Sequence, residues 1–227
     1  MSPSTRDRPA KAPLSVEAVV EAGLRVLRAE GIEAVSMRRV AAELDTGPAS
    51  LYVYVHNRQD LLNKMFDAVV GEVDIGDEPD PKRWREQLES VLTSAREAMD
   101  RHPGIARVPL ANVPTGPNAL RASEHMLSLL RAGGIDDRSA AWFIDVVSLY
   151  LNAASFETSI YVREGSVEAA QAGIEETFSR LDPERYPTTV SMLPYLTAGD
   201  GDERFAFGLR LMINGLLNTE PPGEASR

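Results

Sequence analysis

The chain has 227 residues, 43% of them hydrophobic, which is enough to bury the core of one large domain or two small ones. It contains no cysteine, which excludes disulfides, thiolate metal sites and a cysteine nucleophile. The formal net charge is −10. Residues 1–68 contain nine basic and nine acidic side chains and are neutral overall, whereas the rest of the chain contains 15 basic and 25 acidic side chains. This asymmetry indicates two functional regions, of which only the first could attract nucleic acid.

Residues 1–13 are polar and contain no apolar run, so they predict a flexible arm and not a signal peptide. Val146–Phe156 is a mostly apolar stretch of eleven residues without a charged side chain. A membrane span needs roughly 20 apolar residues. We therefore expect a cytoplasmic protein without a membrane segment, in which this stretch belongs to a buried helix.

The first helix is predicted from an N-cap at Ser15 to a break at Gly31. Its apolar residues recur at i, i+3, i+4, i+8 and i+11, which forms a single apolar stripe. These residues are Val16, Val19, Val20, Leu24 and Leu27. The pattern is typical of a helix that packs one face on a core.

Two short helices follow, in the arrangement of a helix-turn-helix. Ser36 can cap the second helix, which breaks at residues 45–47. Pro48 suits the first turn of a third helix that is only about two turns long. Leu51 and Val55 lie four residues apart, so we expect them to face inward and to hold this third helix.

The rest of the chain is predicted to be helical, because no segment alternates with a period of two. Asn57, with Asp60 as a partial capping box, begins a long helix, and the break at 76–81 marks a domain boundary. Further helices are predicted at 83–101, 118–132, 136–161, 168–181 and 202–218, with irregular chain around Pro183, Pro187 and Pro194. The fold class is all-α: an N-terminal three-helix helix-turn-helix domain at 14–75, a larger helical domain at 76–219, and a disordered tail at 220–227.

The short third helix suits recognition of DNA, because a major groove about 12 Å wide accepts one helix whose first residues reach base edges. The side chains available there are Pro48, Ala49, Ser50, Val53 and Tyr54. Ser36 and the free N–H groups of the second helix can hold a phosphate. The nearby basic residues are Arg38, Arg39 and Arg58. A helical hairpin with surface arginines also occurs in proteins that never contact DNA, so the pattern alone leaves both interpretations open.

The stretch from Ser36 to Asp67 resembles the DNA-binding segment of the TetR family of bacterial repressors. The matching positions are Ala29–Gly31, Ser36–Ala41, Leu51–Val55, Arg58 and Leu61–Leu62. Less specific similarity to the TetR-like C-terminal domain lies in Gly116–Leu120 and Phe205–Leu216. The chain departs from the family pattern at Asp45, where many members have Gly, and at Val53, which is often larger or polar.

The resemblance implies a ligand-responsive repressor that binds a palindromic operator in double-stranded DNA as a homodimer and is released by a small-molecule effector. Together with Ser36, the implied DNA contacts are Arg38, Pro48, Ala49, Ser50, Tyr52, Tyr54 and Arg58. Tyr52 could equally pack between helices with its hydroxyl in water, and Arg39 suits a solvated surface cation better than a contact. Base recognition at Val53 would be apolar, against a thymine methyl group.

A dimer is also expected because one short helix makes few base contacts, and two copies about 34–36 Å apart make specific recognition possible. The stripe assigned to the dimer interface consists of Phe205, Leu209, Met212, Ile213 and Leu216. Phe207 and Leu211 leave the opposite side of the last helix apolar as well, so this helix needs two partners. With the 136–161 helix it would form a four-helix bundle across a two-fold axis, as in the TetR family.

A TetR-like regulator also requires an effector pocket in the acidic C-terminal region. The candidate lining residues are Trp84, Met99, Met126, Trp142, Tyr150, Asn152, Phe156 and Met192. A polar stripe of Ser148, Asn152, Ser155 and Ser159 could hydrogen-bond a ligand, or its small residues could permit a close helix crossing. The composition suggests a large apolar effector, and the excess of carboxylates would tolerate a cation.

Other classes of function have less support in the sequence. The three histidines, His56, His102 and His125, lack the spacing of metal ligands, so neither a metal nor a cofactor is expected. The chain has no phosphate-binding Gly loop, no G-x-S-x-G motif and no compact acid–base group, so we do not expect an enzyme. The alternatives that stay open are a helical ligand-binding module or a helical enzyme without DNA binding.

Overall fold

The computed structural model describes residues 13–110, 112–164 and 167–219, without the side chains of residues 162–164 and 167–171. All regular structure in these ranges is helical, which confirms the all-α fold class. The chain divides into two compact units, Met1–Leu62 and Asn63–Arg227. The boundary predicted after residue 75 stays a prediction. The predicted arm and tail lie outside the described residues, apart from Pro13.

The first unit contains α1 (Val16–Glu30), α2 (Met37–Glu43) and the start of α3 (Arg58–Val70), with 3-10 helices at Ile32–Ala34 and Pro48–Val53. Both predicted N-caps are confirmed. The Ser15 hydroxyl accepts a hydrogen bond from the Ala18 N–H at 3.1 Å, and the Ser36 hydroxyl accepts one from the Arg39 N–H at 3.2 Å. The predicted third helix is present as a 3-10 helix, the tighter form common in short segments.

The core of the first unit is built from the apolar stripes of its helices. Leu51 and Val55 are fully buried, as their spacing predicts, so the 3-10 helix Pro48–Val53 is anchored to the core by its inward-facing side chains. α2 packs on both α1 and this 3-10 helix. The residues that complete this core are Val19, Val26, Leu27, Val35, Val40, Ala41 and Leu61.

The turn before the 3-10 helix depends on a left-handed backbone at Asp45, whose φ is +49°. Asp tolerates this conformation because its short polar side chain bonds locally, whereas a β-branched residue does not. We expect Asp45→Val to lower the free energy of unfolding by about 1–2 kcal/mol, and Asp45→Gly to leave it nearly unchanged. Urea titrations of the three proteins measure this difference. A Val variant as stable as the wild type would contradict the role of the left-handed turn.

The second unit is a bundle in which α4, α5 and α6 pack on one another, α9 packs on α4 and α6, and α7 packs on α6 and α8. Its helices are α4 (Trp84–Asp100), α5 (Pro117–Ala132), α6 (Asp137–Glu164), α7 (Val167–Ser179), α8 (Pro187–Leu196) and α9 (Gly201–Asn218), with a 3-10 helix at Ile105–Arg107. The expectation of irregular chain around Pro187 and Pro194 is wrong. Pro187 occupies the first turn of α8, where its missing N–H costs no hydrogen bond, and Pro194 lies near the end of that helix.

α6 is apolar enough over Asp137–Tyr161 to pass a test of length and composition for a membrane span. The core helix of a soluble protein passes the same test. Phe143, Val147 and Leu151 are buried within the second unit, so one face of α6 packs on protein, whereas Val146 and Leu149 are exposed; the predicted burial of this helix therefore holds for one face only. We do not take α6 as a membrane signal.

A buried arginine connects α4 to the start of α9. Arg96 is 6% exposed, and its guanidinium donates a hydrogen bond to the Gly201 carbonyl at 2.9 Å. It also pairs with Asp202 at 3.0 Å and with Asp100 at 3.4 Å, and it lies 4.7 Å from the centroid of the Phe205 ring. These contacts pair a buried charge with two carboxylates and connect α4 to the start of α9, although the Arg96 Nε makes no hydrogen bond with a described residue.

Burial raises the pKa of Asp100 above its usual range, although the attraction of Arg96 opposes the shift. The native state then binds this proton more tightly than the unfolded chain, so ionised Asp100 destabilises the fold above the raised pKa and the penalty disappears at low pH. We expect Asp100→Asn to raise the melting temperature at pH 7, with the gain vanishing below about pH 4. Thermal melts across this range, with exposed Glu97→Gln as control, measure the effect. A gain independent of pH would contradict the assignment.

Candidate nucleic-acid interface and ligand cavity

The 3-10 helix Pro48–Val53 presents one exposed face to solvent. Pro48 and Ala49 are exposed and Ser50 is half-buried, so the start of this helix is open to a close approach by a large partner. Tyr52 is 54% exposed and Val53 is 80% exposed. Tyr52 therefore does not pack between helices, which was one of its two predicted interpretations.

The hydroxyl oxygens of Ser36 and Ser50, near this face, each accept a hydrogen bond within the protein. The Thr46 hydroxyl donates a hydrogen bond to the Ser50 hydroxyl at 3.3 Å, and the Ser36 oxygen accepts the Arg39 N–H. Tyr54 follows the 3-10 helix and is half-buried. The hydroxyl protons of Ser36 and Ser50 remain available as donors to phosphate.

The three predicted arginines differ in what they contact. Arg38 is exposed, and it makes no hydrogen bond or ion pair with any described residue. Arg39 pairs with Glu30 at 2.6 Å and with Glu43 at 3.1 Å, and the hydrogen bonds that it donates to these carboxylates raise its pKa further. Arg39 is thus a neutralised surface cation, whereas Arg38 keeps its full charge for a partner.

Arg58 has a structural role that its sequence position did not indicate. Its Nε donates a hydrogen bond to the Val35 carbonyl at 2.6 Å, and a terminal nitrogen donates to the Ile32 carbonyl at 2.8 Å. These bonds tie the start of α3 to the segment before α2. A guanidinium has five N–H donors, so the predicted phosphate contact would use those that remain.

The capping box predicted at the start of α3 is present in modified form. The Asp60 N–H donates to the Asn57 side-chain oxygen at 2.9 Å, as predicted. The Asp60 carboxylate accepts the N–H of His56 at 2.8 Å instead of that of Asn57. This reciprocal pair fixes the turn between the 3-10 helix and α3.

The second unit contains a cavity of about 600 Å³ between its helices. α3 contributes Phe66, Val69 and Val70 to the wall, and Val73 lies three residues beyond its end. The other apolar lining residues come from α4, α5, α6 and the segment before α5, and include Val91, Leu92, Met99, Leu110, Val113, Met126, Ile144 and Leu151. A mostly apolar cavity of this size suits a drug-sized molecule.

Three of the eight residues predicted to line the effector pocket, Met99, Met126 and Asn152, line this cavity. Tyr150 and Phe156 instead line a second cavity, of about 450 Å³, near Arg96 and Phe205. Tyr150 stacks on Phe205 with ring centroids 5.4 Å apart, and burial raises its pKa.

The remaining three predicted pocket residues lie away from both cavities. Trp84 is buried and packs so closely on Gly133 that a Cβ at that glycine would overlap the indole ring. Trp142 on α6 and Met192 on α8 are exposed, by 52% and 48%. Aromatic and Met side chains alone therefore did not identify the lining.

The predicted polar stripe on α6 divides between the cavity and the core. Ser148 and Asn152 line the cavity. Ser155 is buried, and its hydroxyl interacts with the Asp100 carboxylate; the Ser159 hydroxyl donates to the Phe156 carbonyl at 2.6 Å. Only the first half of the stripe can therefore meet a ligand in this cavity.

The start of α5 is fastened to α3 beside the cavity. One carboxylate oxygen of Asp67 accepts the Ala119 N–H at 3.0 Å, and the other accepts the Asn118 amide at 3.2 Å. A Cβ at Gly116 would overlap this carboxylate, so the close approach requires glycine there. α5 therefore cannot shift at its start without disturbing Asp67.

The structure reassigns the apolar stripes of α9. Phe205, Leu209 and Ile213, which the sequence assigned to a dimer interface, are buried inside the second unit, and Met212 and Leu216 are half-buried. Phe207 and Leu211 on the opposite stripe are 59% and 56% exposed. Trp142, Val146 and Leu149 are exposed on the adjoining α6. These five exposed apolar residues lie on two helices that pack on each other.

Sequence reasoning missed two groups of residues that line the cavity. Asp145 precedes Ser148 and Asn152 by three and seven residues, so helical spacing could have placed it on the same face. Phe66, Val69 and Val70 lie on α3, which the sequence predicted only as a long helix without a role in the pocket. Nothing in the local pattern distinguishes an apolar residue that faces a cavity from one that faces a neighbour.

An exposed short helix on a helix-turn-helix, in a chain that also contains a ligand-sized cavity, is typical of DNA-binding regulators with a ligand-binding domain. The family model of the tetracyclin repressor-like C-terminal domain matches residues 78–219, and that of bacterial regulatory proteins of the tetR family matches residues 19–65. The chain belongs to the TetR family of transcriptional regulators. It is accordingly a DNA-binding regulator with a ligand-binding C-terminal domain, and not an enzyme.

Individual relatives agree with this family. The HTH-type transcriptional repressor DrrR1 of Streptomyces coeruleorubidus is 33% identical over 226 residues, which cover 93% of this chain and 82% of that protein. The Streptomyces coelicolor TetR family protein ActR in complex with actinorhodin is 38% identical with a TM-score of 0.83, over 91% of this chain and 98% of that one. ActR in complex with (S)-DNPA is 37% identical with a TM-score of 0.81, over 91% and 98% of the two chains.

Proposed function

We propose that this protein is a repressor that binds a palindromic operator as a homodimer and leaves it when a small molecule fills the cavity of the second unit. The observation that carries the proposal is the exposed 3-10 helix Pro48–Val53, together with an exposed Arg38 on α2 that makes no ion pair with any described residue. The DNA contacts we propose are those of the sequence prediction, with Arg38 as the main cation. The protein acts in the cytoplasm, where its DNA is.

Two features support an effector as the signal. The cavity is of ligand size, and the related ActR has been crystallised with actinorhodin and with (S)-DNPA. α3 begins in the first unit and supplies Phe66, Val69 and Val70 to the cavity wall in the second. A ligand that displaces α3 can therefore change DNA affinity, provided that it binds the two states unequally.

The dimer would form through the exposed apolar surface of α6 and α9. Phe207, Leu211, Trp142, Val146 and Leu149 belong to two helices that pack side by side, and large exposed apolar residues at helical spacing mark a partner surface. A two-fold axis through this surface gives a four-helix bundle with two copies of each helix. The partner that we propose is thus a second copy of the chain.

Binding to DNA that flanks the protein's own gene tests the proposal. Fluorescence anisotropy should show specific binding that weakens steeply with salt, because phosphate contacts release counterions. A ligand identified by native mass spectrometry of the purified protein should then release the DNA. A ligand-binding module or an enzyme without DNA binding would show no preference for this DNA over an unrelated duplex.

A further inference from the structure

Three of the five polar residues of the cavity wall lie along one face of α6, and the other two are Asn112 and Ser123. Asp145, Ser148 and Asn152 are spaced i, i+3 and i+7, so they share a face of the helix, and all three line the cavity. Asp145 is the only charged residue among the described lining residues. The wall therefore has one anionic group and a short row of neutral hydrogen-bonding groups in an otherwise mostly apolar space.

Asn152 is the inner group of this row. It is 8% exposed, and its amide makes no hydrogen bond with any described residue. The residue is largely buried but its amide atoms are not fully enclosed, so the amide can be reached from the cavity and is suited to a hydrogen bond with a ligand. Ser148, one turn closer to the start of α6, is half-buried and offers a second hydroxyl.

Asp145 is the outer group. Its side chain is exposed, which places it at an opening of the cavity, and it makes no ion pair with the residues that the structure describes. Lys, Arg and His are absent from the lining within the described ranges. The field at this opening therefore attracts a cation and repels a carboxylate or phosphate.

We infer that the effector is a largely apolar ring compound that carries a protonated amine, with the amine at Asp145 and a carbonyl or hydroxyl group at Asn152. This assignment rests on the proposed function and adds the chemical class of the ligand. The seven-residue separation along α6 places the two polar groups of the ligand about 10 Å apart.

Three anthraquinones that differ only at the end of one side chain test the inference. The chain ends in a primary amine, in its N-acetyl derivative, or in a carboxylate. Calorimetry at pH 7 on the ligand-free full-length protein should give binding of the amine about threefold tighter than the acetyl compound, a ratio typical of an exposed ion pair, and about tenfold tighter than the carboxylate.

Two variants assign the preference to the two groups. Asp145→Asn should bring the three affinities to within about twofold of one another, because it removes the charge and keeps the shape. Asn152→Leu should weaken all three about fivefold, because each contains the ring carbonyl. Asp137→Asn is the matched control, since it changes the net charge equally on the same helix but does not line the cavity.

An amine preference that survives Asp145→Asn, a carboxylate that binds as tightly as the amine, or failure of all three compounds to bind would overturn the inference. Operator binding of the ligand-free protein is measured in parallel. If it persists while the charge preference fails, the ligand class is wrong and the regulatory function stands. If the ligand-free protein does not bind its operator, the proposed function itself fails.

Discussion

Replacing Arg38 by Ala should weaken operator binding by roughly 30- to 900-fold, the equivalent of about 2–4 kcal/mol for two charged hydrogen bonds in a dimer. The expectation rests on the full charge and exposure of Arg38 on α2, which has no partner among the described residues. Anisotropy titrations at several salt concentrations measure the effect. If Arg38 binds phosphate, the slope of log K against log salt should fall by about 1.8, and a contact to base edges should leave it unchanged.

Arg39→Ala is the matched control, because it removes the same charge from the neighbouring position. Its guanidinium is engaged by Glu30 and Glu43, so the substitution should change operator affinity by less than about threefold. An equal loss in both variants would show that general positive charge, and not the free side chain of Arg38, drives binding.

Local chemistry explains why the first unit could be predicted well from the sequence. The caps at Ser15, Ser36 and Asn57 depend on side chains that bond to N–H groups three residues along the chain. The inward positions of Leu51 and Val55 follow from helical spacing. Each of these features is decided within a single turn of the chain.

Long-range contacts explain what the sequence could not show. Arg58 bonds to carbonyl groups that precede it by 23 and 26 residues, so its role depends on the packing of α3 against an earlier segment. Trp84, which the sequence assigned to the effector pocket, packs on Gly133 instead. Asp45, where many family members have Gly, is explained only by its left-handed backbone.

α9 shows a further limit of sequence patterns. Its two apolar stripes have the same helical period, and nothing in the sequence states which one packs inside the subunit. The structure places Phe205, Leu209 and Ile213 on the buried side, in contact with the rest of the bundle. The stripe available to a partner is therefore the one with Phe207 and Leu211.

Replacing both Phe207 and Leu211 by Asp should convert the protein to monomers and weaken operator binding by roughly 100- to 10,000-fold, because the second half-site contact is no longer intramolecular. Both side chains are exposed in the subunit, so the stability of the monomer should change little. Light scattering gives the mass, anisotropy gives the affinity, and circular dichroism confirms that the helices remain.

Ala206→Asp is the control on the same helix, since this exposed residue lies about 100° around the helix axis from Phe207. It should leave the dimer intact. The pair Met212→Asp and Leu216→Asp tests the stripe that the sequence assigned to the interface. Because these residues are half-buried beside Leu209 and Ile213, their replacement should lower the melting temperature before it changes the mass. If the Met212 and Leu216 variant is a folded monomer while the Phe207 and Leu211 variant remains a dimer, the interface is the stripe that the sequence predicted.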